Sequence, residues 1–148
     1  MSATKAHVLV AAASAMLAAL TATPAAAQSA ACSNPRSELA MAALPKAQGW
    51  AGLRRYYHQF SACDDGGLAD DVTERVVHDL AHHWSWLATL NVAIKGDPGF
   101  ERYVLGHIDS TADTDDLTEI KRTATVLCPP SLTGLCRKVR TAAVTALR

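Results

Sequence analysis

The chain has 148 residues, with fourteen basic and fourteen acidic side chains, no net charge, and 49 % hydrophobic residues against only 5 % aromatic ones. A neutral total lacks the basic excess of a nucleic-acid binder, so no nucleic-acid partner is expected. β-Branched residues never alternate as a half-buried strand requires, whereas alanine, leucine and arginine favour helix, so the composition points to an all-α protein.

Lys5 precedes an apolar run from Val8 to Leu20, and Pro24 leads into Ala25-Ala26-Ala27. A basic start, a short apolar centre and small residues before a cut describe a secretory signal peptide over residues 1–27, cleaved between Ala27 and Gln28. The run is too short and too rich in alanine for a transmembrane span, so no stable membrane insertion is expected after processing. A lipoprotein cut before Cys32 fits poorly, because Ser29 stands where a leucine-like residue is wanted. Residues 28–148 are then one domain, periplasmic or secreted.

In that domain, Asn34-Pro35 supplies a capping side chain and a first-turn proline, which predicts a short helix to about Leu44, before Pro45. A second helix runs from about Trp50 to Ala62, with Leu53, Tyr57 and Phe60 inward. Cys63-Asp64-Asp65-Gly66-Gly67 breaks the chain. The longest helix follows, from about Asp70 to Ile94, with Asp70, Asp71 and Glu74 in a first turn where the helix dipole favours acids. Gly96 ends it, and Asp97-Pro98 caps and starts the next, which carries Phe100, Tyr103, Val104 and Ile108. Asp113 or Thr114 caps a helix with Leu117, Ile120 and Ala124 inward, stopped by Cys128-Pro129-Pro130. A last helix runs from Ser131 towards Leu147. The sum is a small bundle of five to six helices.

All four cysteines, Cys32, Cys63, Cys128 and Cys136, follow the cut and none forms a Cys-x-x-Cys pair, which predicts two disulfides. Three pairings are possible. Neighbour pairing is favoured, Cys32 with Cys63 and Cys128 with Cys136, because folding the first two helices together brings Cys32 towards Cys63. Charge is segregated: residues 64–119 hold thirteen acids and three basic residues, while residues 121–148 hold six basic residues and no acid. The simplest account is internal, with the basic C-terminal helix beside the acidic middle.

On a helical wheel for residues 72–94, Val76, Val77, Leu80, Trp84, Leu87 and Ala88 form the apolar face. His78, His82, Ser85 and Thr89 lie opposite, and Trp86 is off the core side. An off-core tryptophan is the kind of residue that anchors an interface, so Trp86, with His82 and Thr89 beside it, is the expected partner-binding surface. His78 and His82, four apart, form an alternative zinc or copper site, but without a Glu-x-x-His base or an evident third ligand. The acidic segments at 64–67 and 109–116 lack the pattern of a calcium loop, and helix capping accounts for Asp113, Asp115 and Asp116, as it does for Asp70 and Asp71. No Gly-x-Ser-x-Gly elbow and no glycine-rich phosphate loop occurs, so no catalytic residue and no cofactor is assigned.

The strings Cys63-Asp64-Asp65-Gly66-Gly67, His107-Ile108-Asp109, Cys128-Pro129 and Leu135-Cys136, spread over roughly residues 56–140, resemble small exported bacterial proteins that are mostly uncharacterised. The plan of export signal, helices and two disulfides is similar in architecture to periplasmic immunity proteins that neutralise toxins delivered by type VI secretion. Neither resemblance assigns an activity or a residue role. The function expected is binding of a protein partner in the cell envelope, as an inhibitor or immunity protein. The alternative is a metal-binding protein or metal-dependent enzyme using the surface histidines.

Overall fold

The helix-forming composition is realised almost throughout residues 32–148, the part of the chain described by the computed structural model. The export signal expected over residues 1–27 lies outside these residues. Seven α-helices follow one another: α1 (Asn34–Ala43), α2 (Gly49–Phe60), α3 (Gly66–His82), α4 (Leu87–Ile94), α5 (Pro98–Gly106), α6 (Thr114–Val126) and α7 (Thr133–Ala146). The described residues contain no strand. No helix among them is long and apolar enough to cross a membrane.

The extra helix comes from the middle of the chain. One helix was expected from Asp70 to Ile94; two form, and a 3₁₀ turn at Trp84–Trp86 separates them. His83 leaves the helical region, with φ −126° and ψ 45°. Its neighbours His82, Trp84, Ser85 and Trp86 are middling helix formers, so local propensity resists the break only weakly. A tertiary bond supports it: the Trp84 indole N–H donates to the Leu127 carbonyl at 3.0 Å. The continuous wheel therefore fails past His83, leaving Trp84 half-buried and Ala88 exposed where both were expected inward.

Two helix starts also move. α3 begins four residues early, because Gly66 adopts a φ of +53° and turns the chain directly out of the Cys63–Asp65 segment. Asp70, Asp71 and Glu74 consequently lie beyond the first turn, where the dipole no longer accounts for them. In α1 the cap position falls on Ser33 and Asn34 is already helical. The other two caps form as expected. Asp97 accepts the Phe100 N–H at 3.1 Å, and Asp113 accepts the N–H groups of Asp115 and Asp116 at 2.9 and 3.1 Å.

α3 is the spine of the core. Leu68, Val72, Val76 and Leu80 recur every four residues along its buried stripe, joined by Thr73, Val77 and Ala81. Against it pack α6 and the 3₁₀ turn, while α6 and α7 form a hairpin and α2 packs on α1, α4 and α5. Trp50, Leu53, Leu87, Phe100, Leu117, Ile120 and Val139 are fully enclosed, each aliphatic or aromatic side chain contributing roughly 1.5–3 kcal/mol by leaving water. Gly52 lets α2 approach the preceding turn, since a Cβ there would lie 2.7 Å from the Ala47 carbonyl carbon.

The disulfides are Cys32–Cys63, which ties the start of α1 to the end of α2, and Cys128–Cys136, which closes the α6–α7 hairpin. All four cysteines are thereby used. The internal account of the charge map holds in part. Lys138 on α7 meets Glu101 on α5 at 2.5 Å, whereas Arg137 and Arg140 form no ion pair among the described residues.

Candidate functional site

Three constellations of polar side chains stand out, and each depends on a different meeting of helices. The first surrounds the break after α3. His78 and His82 lie side by side, with ring centroids 4.7 Å apart and planes tilted by 46°, as their spacing predicts. His82, however, is drawn to α6, its Nε2 lying 2.9 Å from the Asp116 carboxylate. The group of potential metal ligands that converges is His78, Asp79 and His83, whose donor atoms all lie within 4.8 Å of one another. Asp79 Oδ1 is 3.9 Å from His78 Nδ1 and 3.7 Å from His83 Nδ1. Its other oxygen accepts the Arg75 Nε–H at 2.9 Å, and Arg75 also donates to the Ala47 carbonyl, so the carboxylate is held from behind. The His83 ring lies flat on Trp86, with centroids 4.2 Å apart and planes 15° apart.

The second constellation is a groove of about 620 Å³ between α2 and α4, within the size range of small-ligand sites. Ala51, Arg54, Arg55 and His58 line it from α2, and Thr89, Val92 and Ala93 from α4. Both sets follow helical i, i+3, i+4 spacing, so each is one face. Val92 is 73 % exposed. Arg54 and His58 both reach Asp97 Oδ2, each at 2.7 Å. The Arg54 hydrogen bond foremost, then the Phe100 N–H and His58, outweigh burial and bring the Asp97 carboxyl down to about 2. Arg55 has no ion-pair partner among the described residues.

The residues expected to bind a partner divide between these two places. Thr89 lines the groove and its hydroxyl donates to the Trp86 carbonyl at 2.7 Å. Trp86, one turn before Thr89, is 37 % exposed. His82 belongs instead with Asp116 and His78.

The third constellation was not legible as a unit. Thr73 on α3, His107 after α5 and Asp64 before α3 join in series, with Thr73 Oγ1 2.9 Å from His107 Nδ1 and His107 Nε2 2.9 Å from Asp64 Oδ2. With Nε2–H donating to the carboxylate, Nδ1 accepts the Thr73 hydroxyl proton, which it shares with the longer contact to Asp109 Oδ2 at 3.4 Å. The order hydroxyl, imidazole, carboxylate resembles a nucleophile with its base. Thr73, however, is only 3 % exposed, and mid-helix N–H groups beside it are engaged within α3, leaving no oxyanion donors. The trio is a buried tie between helices. Burial foremost, then Asp64 and the neighbouring tyrosines, push the adjacent Tyr103 hydroxyl far above its ordinary pKa. Burial, then Asp64 and Asp71, raise Tyr56 to about 12. Asp109, although raised by burial, is held below its usual range by the Thr111 hydroxyl and N–H and by Thr73.

No protein-family model, curated protein or solved structure matches this chain. Fold and geometry define its class: a disulfide-bonded, all-α protein whose described residues include a groove of mixed apolar and basic character and a histidine–aspartate cluster at the end of α3. Sequence reading missed Asp79 and His83 as a pair and the α2 side of the groove. The i, i+4 spacing of Asp79 and His83 was the available signal for the first.

Proposed function

We propose that this protein acts in an oxidising space outside the cytoplasm, periplasmic or extracellular, by binding a partner protein in the groove between α2 and α4. The occupant is an acidic, amphipathic segment of the partner. The observation that carries this reading is the lining of the groove. Ala51, Val92 and Ala93 offer apolar contact, while Arg54 and Arg55 offer two guanidinium groups and His58 an imidazole, with Asp97 meeting Arg54 and His58 and leaving Arg55 free of any ion pair among the described residues. Apolar burial supplies affinity and the basic wall selects an acidic partner and speeds encounter. Trp86 stands one turn from Thr89 and extends the surface with an indole, a residue type enriched at interface centres. Two disulfides support the compartment. An inhibitor or immunity protein is the type of binder that this small, rigid architecture suits.

The test is site-directed photocrosslinking in the native envelope, with a benzophenone amino acid at position 92 or 86 and, as control, at position 140 on α7. Crosslinks from 92 and 86 to an acidic amphipathic segment, reduced by Arg55→Glu, are expected. Crosslinks from 140 alone, or to a basic or purely polar segment, would overturn the reading.

A further inference from the structure

We infer that the end of α3 is a binding site for a divalent transition-metal ion, with His78 Nδ1, Asp79 Oδ1 and His83 Nδ1 as its protein ligands. The site does not rest on the partner-binding reading, although Trp86 adjoins both. Two imidazoles and one carboxylate form a donor set suited to zinc, nickel or copper(II). Calcium and magnesium want oxygen ligands in larger number and are not expected to compete.

Three features separate this cluster from a chance meeting of surface histidines. First, His83 Nδ1 is shut off from solvent and has no hydrogen-bond partner. A buried ring nitrogen without a partner forfeits its hydration unless something else coordinates it. Second, Asp79 is 4 % exposed, yet only Oδ2 is engaged, by Arg75; Oδ1 makes no hydrogen bond among the described residues and faces both imidazoles. Arg75 thereby orients the ligand as outer-shell partners do in metal sites. Third, the stacking of His83 on Trp86 fixes the plane of the ring. The break at His83 matters here, because it frees this side chain from the continuous helical wheel that would carry it elsewhere.

The distances fit with a small adjustment. Bonds of about 2.0–2.2 Å to a tetrahedral ion place ligand atoms roughly 3.3–3.5 Å apart. The observed 3.7 and 3.9 Å to Asp79, and a separation within 4.8 Å between the two imidazoles, exceed this, and the His78 side chain, 53 % exposed, is free to rotate inward. That exposure leaves the fourth position to water, the arrangement of an open site. Beyond the ligands, Asp70, Asp71, Glu74, Asp113 and Asp116 share a hollow with His78 and give it a negative field that favours a cation.

Zinc ion alone is the probe, titrated by calorimetry into the disulfide-bonded protein after chelator treatment. One zinc per chain is expected, with affinity falling roughly tenfold or more in His78→Ala and in His83→Ala and unchanged in His82→Ala. Asp79→Asn should weaken binding too, but Asp79 also pairs with Arg75, so the exposed His78→Ala decides. Far-UV circular dichroism verifies that each variant folds. A second readout is tryptophan emission: copper(II) should quench it in wild type and much less in Trp86→Phe, since a ligated His83 carries the ion next to that indole. Absence of saturable zinc binding would overturn the inference. So would binding that survives loss of His78 or His83, or that depends on His82, which would indicate the simple surface pair.

Discussion

Replacing Thr73 by valine removes one hydroxyl from the Thr73–His107–Asp64 tie without changing the volume of the core. Thr73 is 3 % and His107 8 % exposed, so water does not readily take the place of the lost donor. His107 Nδ1, now 2.9 Å from the hydroxyl, is left unpaired, at a cost of about 1–3 kcal/mol, and the buried methyl returns a fraction of that. The net loss expected is about 1–2 kcal/mol. For 117 described residues the unfolding entropy is roughly 0.25 kcal/mol/K, so the thermal midpoint should fall by about 4–8 °C. Urea unfolding followed by circular dichroism, on Thr73→Val, His107→Leu and the double variant, gives the coupling directly. An interaction energy of about 1 kcal/mol or more is expected. A Thr73→Val protein within about 0.5 kcal/mol of wild type, or strict additivity in the cycle, would refute the view that this series of bonds holds α3 to the end of α5.

Removing Cys32–Cys63, whose partners are 31 residues apart, should cost about 3.7 kcal/mol by chain entropy, and removing Cys128–Cys136, 8 apart, about 2.5 kcal/mol. Paired Cys→Ala variants compared in urea would show whether that order holds. Gly52→Ala should destabilise by about 1–3 kcal/mol despite alanine's better helix propensity, because its Cβ meets the Ala47 backbone; a rise in the urea midpoint would contradict this. Trp86→Ala, with the indole already 37 % exposed, should cost about 1–2 kcal/mol rather than the 3–5 of an enclosed tryptophan, and thermal melts distinguish the two. For Asp97 the folded pKa of about 2 lies below the ordinary 3.8, so its contribution is complete above about pH 4 and is lost as the pH falls through 2. Asp97→Asn should therefore lose less stability than wild type between pH 4 and pH 2 in parallel urea titrations.

How much could be read from sequence depended on how far apart the deciding partners lie. The caps at Asp97 and Asp113 act within three residues and were legible, as were the inward faces around Phe100, Val104, Leu117 and Ile120. The order of the elements favoured Cys32 with Cys63 among three open pairings, which left Cys128 and Cys136 for each other, and these are the bonds formed. The break at His83 was not legible, because the bond that supports it joins Trp84 to a carbonyl 43 residues later. The metal cluster was legible only in part: Asp79 and His83 are four apart, but a continuous wheel turns His83 about 140° from His78 and pairs His78 with His82. The groove likewise needs α2 and α4 side by side, and the buried tie needs Asp64, Thr73 and His107 to converge from three segments.

Both disulfides join cysteines that are consecutive along the chain, and this has a consequence for how the molecule is made. A chain that emerges N-terminus first presents Cys32 and Cys63 together, with no third thiol in view, until Cys128 appears 65 residues later. At synthesis rates of about 5–20 residues per second that interval is roughly 3–13 s. An oxidant acting within it can form only the native bond, and the last two cysteines then have only each other. Where the chain enters an oxidising space N-terminus first, strictly sequential oxidation therefore needs no reshuffling and no search among the three possible connectivities.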